Sequence, residues 1–306
     1  MKDKYWFKGN LHTHTTNSDG DADPEVVVEW YIRHGYDFLV LSDHNHRTIL
    51  DYVEIAVVPD ESILMIPGEE VSARILGGEI PIHLNGIGIS HVIEPVDAES
   101  AVKTIQSNLD QIISADGIAQ LNHPNASWAF GASEIKKVQG ATLLEIYNAW
   151  PGSNNEGGID RDSTEEMWDS VLSSGQTIYG VATDDAHNYM DFDHTLANPG
   201  RGWVVVRADD LSVDSIKNSL ASGEFYFSTG VEFVEIKNQD DSLMFEIVQE
   251  RGYIYRTKFI GENGVVLAET SGLNPAYKFQ GSESYVRAVV KSSYGTRAWT
   301  QPVFLR

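Results

Sequence analysis

The sequence predicts an α/β domain of parallel βα units followed by a small antiparallel β-sandwich. Three observations predict it. From Phe7 to about Ser228, short apolar runs alternate with stretches of helical periodicity. Histidines and carboxylates recur at or just beyond the C-terminal ends of those runs, where a βα barrel builds its site. After Ser228 the helical periodicity stops, and short alternating segments between polar turns replace it. The division therefore falls at 1–228 and 229–306.

Strand-like runs cover 37–42, 62–66, 80–84, 118–121, 142–147, 177–182 and 203–206. Helices are expected between several of them. Residues 24–34 begin with Pro24, carry Val27, Trp30 and Tyr31, and stop at Gly35. Residues 98–115 place Val102, Ile105, Leu109, Ile112 and Ile113 on one face and end before Gly117. Residues 163–174 open with Ser163 and Thr164 ahead of two glutamates and stop at Gly175. Residues 212–222 open with Ser212 and stop at Gly223. The tail reads as strands over 231–237, 243–249, 253–260, 265–269, 285–291 and 298–305, of roughly Ig-like size. Polar turns at 238–241 and 261–264 separate them, and no histidine occurs there.

The chain has 306 residues, 42% hydrophobic and 22% charged, as expected of a soluble globular protein. Its 45 acidic residues against 22 basic ones leave a net charge of −23. That balance opposes extended nucleic-acid binding, which needs basic surface to displace counterions. It permits a small phosphate ester, because bound metals reverse the local field. There is no cysteine, so disulfides and thiolate ligands are excluded. The start lacks an apolar signal region and nothing later approaches a membrane span, so a cytoplasmic protein is the expectation.

The chemistry concentrates in a few motifs. His12 and His14 are two apart, so on a strand both imidazoles face one side. Asp19 follows in a polar turn, and the same spacing returns in Asp185-Ala-His187. Between them lie Asp43-His44-Asn45, Gly68-Glu-Glu70, His83 and Asn122-His123-Pro124. Six of the ten histidines therefore fall in these places, with Asp19, Glu70 and Asp185 among their carboxylates. Nitrogen and oxygen donors without a thiolate describe a polynuclear site for hard or borderline divalent metals.

With these motifs in view, residues 1–228 resemble the PHP family (polymerase and histidinol phosphatase domain) of metal-dependent phosphoesterases. The matching stretches are His12-x-His14-x4-Asp19-Gly20, Ser42-Asp43-His44-Asn45, Pro67-Gly-Glu-Glu70-Val-Ser72, His83, Asn122-His123-Pro124 and Thr183-Asp-Asp185-Ala-His187. A β-rich tail closing on residues 298–304 is similar to the subgroup named after carbaryl and carbamate hydrolases (CehA/McbA-like). The resemblance implies a distorted (β/α)7 barrel, TIM-like, holding two or three divalent ions (Mn, Fe or Zn). One ion would take His12, His14, Glu70 and Asp185. A second would share Glu70 and add His83 and His123. A third would take Asp19, His44 and His187. Glu70 and Asp185 align with the family's ligands, leaving Glu69 and Asp184 as their neighbours.

The reaction so implied is in-line attack of a metal-bridging hydroxide on phosphorus, without a covalent enzyme intermediate. Asp43 is expected to orient a ligand or accept a proton, and His194 to serve as the acid for the leaving group. Arg201, in Pro-Gly-Arg-Gly ahead of a strand, is the candidate for a phosphate oxygen, because guanidinium binds it bidentately. Asn148 is placed at the pocket wall. Glu145 is read either as reaching the barrel mouth or as pairing with a neighbour. The run over 150–158 is read either as a loop over the pocket or as a plain connection. The expected function is hydrolysis of a small phosphorylated compound. The alternatives are a carbamate, amide or ester hydrolase, and a catalytically silent binding module.

Overall fold

Each predicted helix forms, and its ends carry the expected chemistry. In the computed structural model, which describes residues 4–50, 62–75, 77–239 and 241–305, Pro24 opens α1 (Pro24–Arg33), which buries Val27, Val28, Tyr31 and Ile32. Ser100 caps α2 (Ala101–Ser114) by accepting from the Lys103 N–H, and Ile105, Leu109 and Ile112 are buried. Ile113 faces outward instead. A short α3 (Ala132–Ile135) adds a turn that the periodicity does not predict. Ser163 and Glu166 form a capping box at α4 (Thr164–Leu172). Ser212 caps α5 (Val213–Ser222), which stops where Gly223 turns left-handed.

The strands through residue 228 are β1 (Tyr5–Asn10), β2 (Phe38–Leu39), β3 (Leu64–Met65), β4 (Gly68–Arg74), β5 (Pro81–Ile87), β6 (Ile118–Leu121), β7 (Leu143–Asn148), β8 (Tyr179–Thr183), β9 (Trp203–Ala208) and β10 (Phe225–Ser228). After them come β11 (Phe233–Gln239), β12 (Ser242–Ile247), β13 (Tyr255–Ile260), β14 (Val266–Ser271), β15 (Ala276–Lys278), β16 (Tyr285–Ser292), β17 (Arg297–Thr300) and β18 (Val303–Phe304). Residues 1–3, at the start read for a signal region, and Asp240, in a predicted turn, lie outside the described residues.

Among the described residues the closed parallel barrel does not form. The strands divide into a sheet ordered β14-β13-β16-β17-β10-β9-β1-β2-β3, with β18 on β16, a sheet β4-β5-β6-β7-β8, and a small sheet β11-β12-β15. The pairs β1–β2, β2–β3, β6–β7 and β7–β8 are parallel. The pairs β4–β5, β5–β6, β1–β9 and β9–β10 are antiparallel. The β4–β5 connection is a short hairpin, too short for the crossover that a parallel neighbour needs. Two isolated parallel bridges, Thr13 with Ala186 and His44 with Glu70, join the two larger sheets where the candidate ligands lie.

The C-terminal strands give the expected two layers, but one layer is continuous with the first part of the chain. Strand β10 pairs with β17, and Phe227 stacks on Trp299 with ring centroids 5.0 Å apart. One buried apolar cluster joins Trp299 and Tyr285 to Leu84, Leu144 and Val181. The other joins Phe245 and Phe259 to Val27 and Tyr31. Arg287 on β16 is 1% exposed and grips Asp169 of α4 through Nε at 2.7 Å and Nη2 at 2.6 Å. Among the described residues no helix is long and apolar enough to cross a membrane.

Candidate metal centre

The nine residues expected as ligands converge. His12 and His14 lie just beyond β1, with ring centroids 5.2 Å apart, so the expected common facing holds. Their segment is tied to the one that follows β8. Asp185 N–H donates to His12 O at 2.9 Å, and His14 N–H donates to Ala186 O at 2.9 Å. His44 follows β2, Glu70 and His83 lie within β4 and β5, and His123 and Asp185 follow β6 and β8. Four donor groups result, each with ligand atoms within 4.8 Å of one another: His14, Asp19, His44 and His187; His12, Glu70 and His123; His12, His14 and Asp185; His44, Glu70 and His83. The groups share members more than the expected three sets do. His14 also joins the Asp19 group, and His44 also joins Glu70.

Glu70 is the hub. His44 Nδ1 lies 2.8 Å from Oε2, while His83 Nδ1 at 3.1 Å and His123 Nε2 at 3.2 Å meet Oε1. Strand alternation sends Glu69 the other way, where Oε1 accepts from the Ile93 N–H at 2.6 Å. The two aspartates beyond β8 also separate. Asp184 turns from the cluster and accepts from the N–H groups of Gly200, Arg201 and Gly202. His123 and Asp185 both take positive φ, 23° and 46°, unusual for residues with a Cβ and typical of strained functional positions.

The electrostatics favour positive charge at the centre. Burial alone would raise the Glu70 carboxyl, but His83, His12 and His44 hold it well below the usual carboxylate range. Asp185 is lowered likewise, burial being outweighed by His12, His14 and His187. Burial disfavours a proton on His12, yet Asp185, Glu70 and Glu145 raise its pKa well above the usual value. His44 is pushed up to about 10, burial being overcome by Glu70 and Asp19. Burial pushes Glu69, outside the cluster, up to about 7.

These residues fit divalent cations. His12 Nε2 is buried without a hydrogen-bond partner, 3.2 Å from Asp185 Oδ1 and 3.4 Å from Glu70 Oε1. Once deprotonated, an imidazole nitrogen aimed between two carboxylate oxygens has the geometry of a ligand.

Glu145 holds that imidazole in place. Its Oε1 lies 2.7 Å from His12 Nδ1 and accepts from Thr183 Oγ1 at 2.6 Å, and its Oε2 accepts from the His123 N–H at 2.7 Å. Of the two readings of this residue, it pairs with neighbours, and those neighbours are ligand candidates. A carboxylate on Nδ1 fixes the tautomer that leaves Nε2 free. The signal was a charge in the apolar run Leu143-Leu-Glu-Ile-Tyr147. Asn122, quoted in its motif but given no role there, donates to Glu70 Oε1 at 2.9 Å and to Asn85 Oδ1 at 2.8 Å.

Three expected roles change, and Asp43 keeps one of its two. Asp43 is saturated, accepting from Thr15 N–H at 2.7 Å and from the hydroxyls of Thr15, Ser18 and Thr48. It therefore pins the turn that carries Asp19 and is not placed to take a proton. Asn148 donates to Asp185 Oδ2 at 3.0 Å and Glu145 Oε2 at 2.9 Å, so it orients a candidate ligand. The Arg201 guanidinium donates to Leu196 O, Asp193 O and Asn198 Oδ1 at 2.7, 2.7 and 2.8 Å. Those bonds clamp the 193–201 loop, so the fork is not free for phosphate. The His194 side chain is 89% exposed beside Asp193, outside the cleft lining.

The cluster opens into a cleft of about 430 Å³ lined by Trp150, Pro151 and Gly152 together with Leu196 and Ala197. The run over 150–158 therefore starts as a wall of the pocket. No Lys or Arg occurs among the described residues lining it.

Fold and site together define a mixed α/β protein with a polyhistidine–carboxylate centre at the seam between two sheets. Its fold is similar to that of a two-domain protein containing a predicted PHP-like metal-dependent phosphoesterase from Bacteroides vulgatus. That similarity has 15% identity and a TM-score of 0.54 over 94% of this chain and 90% of the other. Looser similarities are a putative metal-dependent phosphoesterase from Bifidobacterium adolescentis and an amidohydrolase from Chromobacterium violaceum. Both have a TM-score of 0.41, at 10% and 16% identity, covering 58% and 60% of this chain and 87% and 88% of theirs. No known sequence family and no curated protein matches the chain. None of these comparisons supports the narrower resemblance to carbamate hydrolases.

Proposed function

We propose that the chain is a metal-dependent phosphoesterase that hydrolyses a small phosphorylated compound at this centre. The observation that carries the reading is the convergence of nine residues with nitrogen or oxygen donors in overlapping groups, seven of which line one cleft. His12, His14, Glu70 and Asp185 would hold one ion, Glu70, His83 and His123 a second, and Asp19, His44 and His187 a third. When bound, Mn, Fe or Zn ions supply a nucleophile at neutral pH and neutralise phosphoryl oxygens.

The chain's own residues prepare that site. Glu145 sets the His12 tautomer, Asn122 and Asn148 orient the Glu70 and Asp185 carboxylates, and Asp43 anchors the Asp19 turn. Three carboxylates without a lining Lys or Arg would repel a phosphate dianion, so substrate binding requires the cations. The same charge balance disfavours extended nucleic acid.

The test is a substrate panel with Mn-loaded protein. Turnover of phosphomonoesters, lost on chelation and restored by Mn, is expected. Turnover of aryl carbamates alone would replace phosphoryl by acyl chemistry. Absence of any hydrolysis by metal-replete protein would leave a binding module.

A further inference from the structure

We propose that the cleft beside the cluster is a subsite for an uncharged, apolar leaving group. The substrate is then a phosphate monoester of a small apolar alcohol or phenol. This rests on the phosphoesterase reading and supplies the half of the substrate that is not phosphate.

Away from the cluster, the cleft is lined by Pro81, Ala126, Trp150, Pro151, Leu196 and Ala197. Ser127, Asn188 and Thr195 are the neutral polar side chains among the described lining residues. Arg201, the nearest sequence candidate for a cation, spends its donors on its own loop. A nucleotide or sugar bisphosphate would carry a second anion to a wall without a chain cation. A sugar would press hydroxyls against hydrocarbon with few partners. An apolar group gains from the same surface.

The aromatic wall is built rigidly. Trp150 is 38% exposed, and its ring centroid stands 6.5 Å from that of His123. Its N–H donates to Asn148 Oδ1 at 2.8 Å, and its carbonyl accepts from the Ser153 N–H at 3.1 Å. A Cβ at Gly152 would overlap the indole, so the ring lies directly on that glycine. Asn148 also donates to Asp185, so one amide positions both the aromatic wall and a candidate ligand.

Hydrolysis of such an ester consumes one water. The bond from phosphorus to the leaving oxygen breaks, and the water oxygen forms the new bond to phosphorus. One proton ends on the alcohol and one on phosphate.

The test is calorimetric titration of the Mn-loaded full chain with two unreactive probes, phenylphosphonate and methylphosphonate. The phenyl probe is expected to bind about 10- to 100-fold tighter, the worth of burying one ring. That ratio should fall toward one in Trp150→Ala and, separately, in Leu196→Ser, both retaining the parent's metal content. Should Trp150→Ala fail to fold, Leu196→Ser and Pro81→Ser carry the test. Equal affinity of the two probes, no binding of either, or a ratio unchanged in the folded variants would overturn the subsite. Faster turnover of benzyl phosphate than of glycerol phosphate, both alkyl esters, supports it, and equal turnover overturns it. A phenyl preference in binding without turnover of any phosphomonoester would sink the phosphoesterase reading and leave the apolar subsite standing.

Discussion

His44 and Glu70 meet twice. Their backbones form an isolated parallel bridge between two sheets, and His44 Nδ1 lies 2.8 Å from Glu70 Oε2. The seam that holds the sheets together is therefore also part of the candidate metal centre. Placement of the donor side chains and the joining of the two sheets depend on the same residues.

Glu70→Gln should lose bound metal and phosphoester turnover together, because the hub carboxylate meets several histidines. Glu69→Gln should keep both, since Glu69 faces the Ile93 N–H. Metal content by plasma mass spectrometry, read beside activity, checks this, and metal loss in the Glu69 variant would mean the wrong carboxylate had been chosen.

Glu145→Gln should weaken metal affinity about 10- to 100-fold, the usual effect of removing a carboxylate behind a ligating histidine. The amide loses the charge on His12 Nδ1 while nearly keeping shape, so Glu145→Asp should not rescue it fully. Competition with a metal chelator measures the affinity. Nitrogen NMR of His12 reports the tautomer, and an unchanged tautomer with unchanged affinity would remove Glu145 from the site's support.

Arg201→Ala should cost about 1–3 kcal/mol of stability through lost charge-assisted hydrogen bonds. Any fall in turnover should be equal for phosphoesters and neutral aryl esters, because the fork holds Leu196, Asp193 and Asn198. Kinetics on both substrate types decide the matter. A loss confined to phosphoesters would return Arg201 to the phosphate.

Breaking the buried Arg287–Asp169 pair from one side should destabilise the chain by about 3–5 kcal/mol, since Arg287→Met leaves Asp169 without its cation. Denaturant unfolding should show one transition for residues on both sides of 228, given the shared sheet and cores. Two separated transitions would instead favour independent units at 1–228 and 229–306.

Much of the site was legible because its grammar is local. A histidine two residues from another, or an aspartate between turn residues, announces a donor without its partners. Helix ends were legible for the same reason, as at Ser163 and Glu166. Glu145 was half legible, as a charge in an apolar run whose partner lies 133 positions away. Arg201 misled because a guanidinium near a strand looks the same whether its acceptors are phosphate oxygens or its own loop carbonyls.

By itself the sequence determined the donor set, the acidic balance, the main helices and the β texture of the tail. Each of these follows from side-chain chemistry or from periodicity within a few residues. Tertiary structure decided that the sheets of the described residues stay open, that β10 pairs with β17 across the expected boundary, and that the Arg201 fork is spent on its own loop. The physical reason is that strand pairing and buried polar partners are long-range. A backbone N–H or a buried carboxylate must be satisfied somewhere, and only the folded chain decides by which group.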